Sequence, residues 1–293
     1  MKPFDYLLYG LTIFAWSTSW LPLRWQLGVV VPEVSLFWRF IFAGLIMMVV
    51  AKLSGHSLRL TKEVHLRIAV LSLFLFSFNF LSFYYGGLGV SSGLLAVVFS
   101  TASLMVILEK AVIDRQWPEV RLLFAAILGI GGIFLIFLPE LEKGHAPLAS
   151  LMFCFMGTLI FSLGNILSGR LQSRQVSVIS SNSWGMLYGA TYLGLVAVFR
   201  GDAFIMEYSW KYLGGLSWLV IISTVMAFTC YLTLIGRIGP GRASYITVIF
   251  PVAALLISQL MEDYEWTYLS LVGLGLVAFG NTIMARSAKS RTN

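Results

Sequence analysis

A chain of 293 residues that is 58% hydrophobic and only 11% charged, with a mean hydropathy of +0.86, is not an ordinary soluble domain, which is about a quarter charged. Folded in water it would leave more apolar surface than water tolerates, so it reads as an all-α integral membrane protein. The net charge of +7 does not point to nucleic acid, because the cations lie in short links between apolar runs, where they orient a membrane protein and meet anionic lipid heads.

Apolar runs long enough to cross about 30 Å of hydrocarbon are predicted at Tyr6–Leu23, Val34–Ala51, Ile68–Tyr85, Val90–Leu108 and Leu122–Leu138. A second set follows at Leu148–Leu167, Val176–Phe199, Tyr212–Ile235, Ala243–Met261 and Trp266–Ala285. The first run reads as a retained span and not as a cleaved signal peptide, being too long for one and lacking a small-residue cleavage site. Cys154 and Cys230 both fall inside spans and read as packing residues, neither a disulfide nor a metal pair.

With ten spans both termini share one side. That side carries Lys2, Lys52, Arg59, Lys62, Arg67, Lys110, Arg115, Arg121, Arg170, Arg174, Arg237, Arg242, Arg286, Lys289 and Arg291, against Arg24, Lys143, Arg200 and Lys211 on the other. The positive-inside rule then predicts cytoplasmic termini.

The chain also echoes itself. A shift of 150 puts Gly86 on Gly236, Gly89 on Gly239 and Phe78 on Phe228, and a shift of 147 lays "GLTIF" (10–14) on "GTLIF" (157–161). Two five-span halves, 1–143 and 144–293, are predicted. Because five is odd, the second must enter the membrane from the opposite side, giving inverted repeats around a central cavity, an arrangement common in secondary transporters.

The ten-span count, "WSTS" (16–19), the GxxG loop at Gly236–Gly239 and "VIFPVAALL" (248–256) together resemble the drug/metabolite transporter superfamily. Within it the chain is most similar to the EamA-type ten-helix exporters and to the YddG-type amino-acid and metabolite exporters. The resemblance implies export of small metabolites such as amino acids from the bacterial cytoplasm, through a cavity formed by spans one to four and six to nine. Spans five and ten would be peripheral. One departure is Thr101, where the family's fourth span often carries a proline like Pro251.

The residues that could serve such a cavity are few. Pro251 frees the carbonyl of Thr247 and marks a hinge, sharper than its counterpart at Ser100 and Thr101. Gly86, Gly89, Gly236 and Gly239 supply tight loops. Trp16, Ser17 and Thr18 lie in span one, and the shift of 147 puts Thr18 on Asn165 in span six. Asn165 and Asn79 serve either helix-to-helix bonding or substrate contact. Arg39, the only charge well inside a span, either snorkels to the interface or anchors a substrate carboxylate or an outer gate, with Glu33 a candidate partner. Trp38, Tyr84, Trp184, Tyr188 and Tyr245 are either interfacial belt residues or ring contacts for a substrate.

No acid lies near a span centre and the three histidines are in loops, so a carboxylate proton relay has no obvious carrier; no nucleotide-binding motif is present. The expected protein is an alternating-access carrier without a cofactor, a monomer or weak homodimer. Its partners are a small-molecule substrate and lipids, and not nucleic acid. Amino acids with aromatic or apolar side chains are the first substrate class, and a drug, sugar or nucleoside-like solute the alternative. An intramembrane enzyme is the rival from another class; it would need a nucleophile with an activating base or a metal.

Overall fold

A computed structural model describes residues 2–115, 120–142, 148–243, 246–262 and 266–290, all of whose regular elements are helical. In chain order they are α1 (Pro3–Ser17), α2 (Trp20–Arg24), α3 (Pro32–Leu53), α4 (Lys62–Leu75), α5 (Phe78–Gly87), α6 (Ser92–Phe99), α7 (Ala102–Ile113) and α8 (Val120–Glu142). There follow α9 (Leu148–Gln172), α10 (Val178–Arg200), α11 (Trp210–Trp218), a π-helical segment (Leu219–Met226), α12 (Ala227–Ile238), α13 (Pro240–Ala243), α14 (Ile246–Glu262) and α15 (Tyr268–Ser290). Five helical segments among the described residues are long and apolar enough to cross a membrane: Pro32–Leu53, Lys62–Gly87, Ser92–Ile113, Leu148–Gln172 and Trp210–Ile238. Shorter apolar helices cover Leu123–Pro139, Phe250–Glu262 and Tyr268–Gly280.

Several helical paths are interrupted, and local chemistry explains where. Between α1 and α2, Pro22 has no N–H to give the Thr18 carbonyl. The Thr18 hydroxyl meanwhile bonds back to the Phe14 carbonyl at 2.9 Å, and Ser19 Oγ bonds to the Ala15 carbonyl. Hydroxyls that compete for helix carbonyls bend helices. The same device separates α6 from α7, where Ser100 and Thr101 donate to the carbonyls of Val97 and Val98 at 2.6 and 2.7 Å. At the α4–α5 junction Ser77 leaves helical geometry (φ −144°, ψ −84°) and its hydroxyl bonds to the Ser72 carbonyl at 2.8 Å. The fourth interruption is the π-helical segment between α11 and α12. Such segments mostly occur as short insertions at functional sites.

Pro251 does not interrupt its helix. α14 runs continuously from Ile246 to Glu262 with Pro251 inside it, whereas the aligned position in the other half, Ser100–Thr101, breaks its helix.

Close helix crossings depend on glycine. Gly185 and Gly189 of α10, one turn apart, form a flat face against Phe76, and a Cβ at Gly189 would lie 2.3 Å from the Phe76 carbonyl oxygen. α8 and α15 pack chiefly on each other, with Gly132 and Gly273 so close that a Cβ on either would meet the other's carbonyl oxygen at 2.5 and 2.4 Å. A small separate cluster joins Leu104 of α7 to Ala125 and Ala126 of α8, while Ile133, Ile136 and Phe137 of α8 and Val277 of α15 belong to the main core.

Candidate functional site

The interruptions converge on one aromatic-lined pocket within the bundle. The α1–α2 break gives it Trp16, Ser19, Trp20 and Leu23. The turn after the α4–α5 break gives Asn79, Phe80 and Phe83, and Phe99 comes from the residue before the α6–α7 break. Leu219 and Ser223 come from the π-helical segment, Phe228 from α12, Phe161 from α9 and Arg39 from α3. All these residues except Phe80 are buried.

The wall is a continuous aromatic lattice. Trp16 meets Tyr231 at 4.7 Å between ring centroids and Phe99, Phe161 and Phe228 edge-on at 5.7, 5.9 and 5.9 Å. Trp20 bridges Phe83 and Phe99, both at 5.5 Å. Edge-to-face contacts of this kind fix ring positions more tightly than area burial alone.

Arg39 is the one ionisable group on the described wall. It is 1% exposed, so it does not snorkel. Its Nε donates to Thr224 Oγ1 at 2.9 Å and one Nη to Ser223 Oγ at 3.2 Å, and the guanidinium lies 4.5 Å above the Phe80 ring. The neutral Tyr84 phenol lies beside the guanidinium, and no group meets Nη1 in full hydrogen-bond geometry. The proposed partner Glu33 is committed elsewhere: it accepts from Tyr85 at 2.6 Å and pairs with Arg200 at 3.4 Å. The Asn79 side-chain oxygen, also buried, has no partner either.

Of the residues singled out from sequence, Trp16, Asn79 and Arg39 meet on the pocket wall. Ser17, Thr18, Ser100 and Thr101 form or flank the helix breaks beside it. Tyr84 lies behind Arg39. Asn165 bonds helix to helix, donating to Tyr231 Oη at 3.0 Å behind Trp16. Trp38 is elsewhere, stacked on Phe42 with its indole N–H on the Ile205 carbonyl. So are Trp184 and Tyr188, which pack against His65. Tyr245 and the Thr247 side chain lie outside the described residues. Gly86 seats Cys154 and the Ser150 carbonyl, Gly236 seats Gln172, Gly89 turns the chain after α5, and Gly239 takes a positive φ of 84° that favours glycine. The wall residues Trp20, Leu23, Phe80, Phe83, Phe99, Leu219 and Ser223 were not among those singled out. Phe161 and Phe228 were visible as repeat matches but not as wall residues.

Ionic clusters close both ends of the bundle around this pocket. At one end Asp5 of α1 pairs with Arg237 of α12 at 2.5 Å, and Tyr9 donates to the Arg242 carbonyl. At the other, Arg24 of α2 pairs with Glu262 of α14 at 3.2 Å and donates to the carbonyls of Gly87 and Val90. Glu262 also accepts from the Ser92 backbone N–H at 2.9 Å and from the Ser92 and Ser258 hydroxyls. Glu262→Ala would leave these donors unpartnered in a largely enclosed place. It should lower stability by about 2 kcal/mol, below the range for a fully buried pair because Arg24 is partly exposed. Thermal unfolding in detergent checks this, and Glu262→Gln, which keeps an acceptor, should lose less.

The chain matches a solved crystal structure of a protein at a TM-score of 0.70 and 16% identity, covering 97% of this chain and 98% of that one, which shows a shared fold. It is 22% identical over 262 residues to "Protein PagO" of Salmonella typhimurium, covering 89% of this chain and 85% of that protein. It is 22% identical over 199 residues to a "Probable amino-acid metabolite efflux pump" of Escherichia coli, covering 66% and 67% of the two chains. It is 22% identical over 269 residues to the "Uncharacterized transporter YoaV" of Bacillus subtilis, covering 90% and 91%. The EamA-like transporter family matches twice in succession, at residues 4–138 and 148–286, so this apolar chain belongs to that family of membrane transporters and, through it, to the drug/metabolite transporter superfamily.

Proposed function

We propose that the protein is an inner-membrane exporter that moves a small carboxylate-bearing metabolite with an aromatic or apolar body outward by alternating access. Amino acids are the starting class, because a relative is named as an amino-acid metabolite efflux pump. In this reading ten spans form two inverted five-span halves, residues 1–143 and 144–293, with both termini in the cytoplasm. The observation that carries it is the aromatic pocket at the meeting point of four helix interruptions. Irregular backbone at membrane depth is tolerated where it lines a cavity, and transporters use it to meet substrate.

The two ionic clusters act as gates in this scheme. Each ties the first half to the second, Asp5–Arg237 on the cytoplasmic side and Arg24–Glu262 on the outer side. Both are closed at once, which corresponds to an occluded intermediate. An enzyme reading gains nothing from the pocket: its described wall offers the hydroxyls of Ser19 and Ser223 and no histidine, acid or thiol to activate them.

Purified protein in proteoliposomes, tested against a panel of labelled amino acids, checks the transport reading. Saturable flux of at least one panel member above that of empty vesicles is expected. Uniform leakage at the empty-vesicle rate would remove the substrate assignment.

A further inference from the structure

Among the described residues the pocket wall carries one charge and no acid to balance it. Arg39 is 1% exposed, its Nη1 is unpartnered, and its other donors rest on the neutral hydroxyls of Ser223 and Thr224. Its neighbours are the Tyr84 phenol and the rings of Phe80 and Phe40. Among the described residues no carboxylate pairs with it, since Glu33 is held by Tyr85 and Arg200 and Glu109 by Ser162 at 2.6 Å. A guanidinium buried without a counter-ion is costly in hydrocarbon, and a ligand carboxylate supplies what is missing through a charge-assisted hydrogen bond.

Among the described residues the same wall holds no carboxylate to balance an ammonium. Asn79 Oδ1 is a free acceptor, but an amide oxygen brings a dipole and no countercharge. The Phe80 face is already under Arg39 at 4.5 Å, and the other rings of the wall could cover a cation but bring a quadrupole and no countercharge. An ammonium in this pocket would therefore meet a like charge in a low-dielectric space. A neutral hydroxyl or N–H donor suits Asn79 without that penalty.

We infer that the transported species carries a net negative charge: an aromatic or apolar monocarboxylate whose second polar group is a neutral donor, such as a 2-hydroxy acid, preferred over the zwitterionic amino acid of the same shape. This deepens the exporter reading and rests on it. It also supplies an energy source. A monoanion leaving a cell that is negative inside moves with the membrane potential, and ~100 mV favours one outward charge by roughly 50-fold at equilibrium. No proton-carrying acid in the pocket is required.

The test uses the full chain in proteoliposomes loaded with either 3-phenyllactate or phenylalanine, which differ only in a hydroxyl against an ammonium. Efflux is measured at neutral pH with and without a potassium diffusion potential that is negative inside. Saturable phenyllactate efflux should exceed phenylalanine efflux by at least roughly tenfold, the low end of a like-charge penalty in a partly screened site. The potential should accelerate the anion and leave the zwitterion unchanged. Arg39→Gln should abolish saturable phenyllactate efflux, Arg39→Lys should keep part of it, and Ser223→Ala, which removes a tether but no charge, should keep the preference for the anion.

Phenylalanine moving as fast as phenyllactate would overturn the inference, as would efflux that ignores the potential and follows an imposed pH gradient. Wild-type phenyllactate efflux by folded Arg39→Gln protein would reduce Arg39 to a tether of the π-helical segment. If Arg39→Gln does not fold, the comparison of anion and zwitterion in the wild-type protein still decides. Movement of a panel amino acid without phenyllactate sinks the charge selection alone; flux of neither phenyllactate nor any panel member sinks the exporter reading itself.

Discussion

Replacing Trp16 with alanine should destabilise the protein by about 3–5 kcal/mol, the range for removing a large ring from a packed core, and should abolish saturable transport. Trp16 is 5% exposed and contacts five other rings, those of Phe99, Phe161, Phe228, Tyr231 and Phe250. It is where the first-half and second-half contributions to the pocket wall meet. Losing it removes the surface a flat substrate would stack on and frees Tyr231, whose hydroxyl accepts from Asn165. Trp16→Phe keeps a ring and should restore most of the stability but not the full transport rate. Thermal unfolding in detergent separates the two effects from flux in vesicles. Unchanged transport in a folded Trp16→Ala protein would mean that substrate passes elsewhere.

Gly189→Ala should be the most damaging single-methyl change in the described bundle. The added Cβ would lie 2.3 Å from the Phe76 carbonyl oxygen, and a backbone atom cannot swing aside as a side chain can. The α4–α5 junction would have to separate from α10, which costs about 3 kcal/mol at the upper end of ordinary overpacking. Because that junction carries Asn79 and Phe80 into the pocket, transport should fall as well. Gly185→Ala is the matched control. Its Cβ would meet the edge of the Phe76 ring at 2.8 Å, which can tilt away, so the loss should be smaller. Equal melting temperatures for the two variants would contradict the tight crossing.

Much of this fold was legible in the sequence because hydrophobic runs are a strong signal, and the family match at both halves supports the reading of membrane helices in a duplicated chain. The breaks were harder. Pro251 drew attention as an in-helix proline, yet α14 passes through it, while Pro22 lies just past a real break and was hidden beside the run of hydroxyls at 17–19. Serine and threonine can cap, bend or merely decorate a helix, and only the geometry around Thr18, Ser77 and Ser100 tells which.

The site divides the same way. Arg39 stood out as a charge within an apolar run, but whether it reached the interface depended on the Ser223 and Thr224 hydroxyls nearly two hundred residues away. The aromatic wall was invisible because the chain is 15% aromatic, and apolar periodicity does not separate rings that face lipid from rings that face a pocket. Trp184 and Tyr188 looked equivalent to Trp16 in sequence and pack against a loop and His65 instead.

The central claim is that this pocket opens in turn to the two sides of the membrane. Ser19, on its wall and 6% exposed, can be changed to cysteine with little change in volume, in a chain whose Cys154 and Cys230 are replaced by alanine. In transport-competent protein the Ser19→Cys thiol should react with a membrane-impermeant maleimide added to either face, and bound substrate should slow both reactions. Reaction from one face only, or from neither, while transport continues would contradict the account.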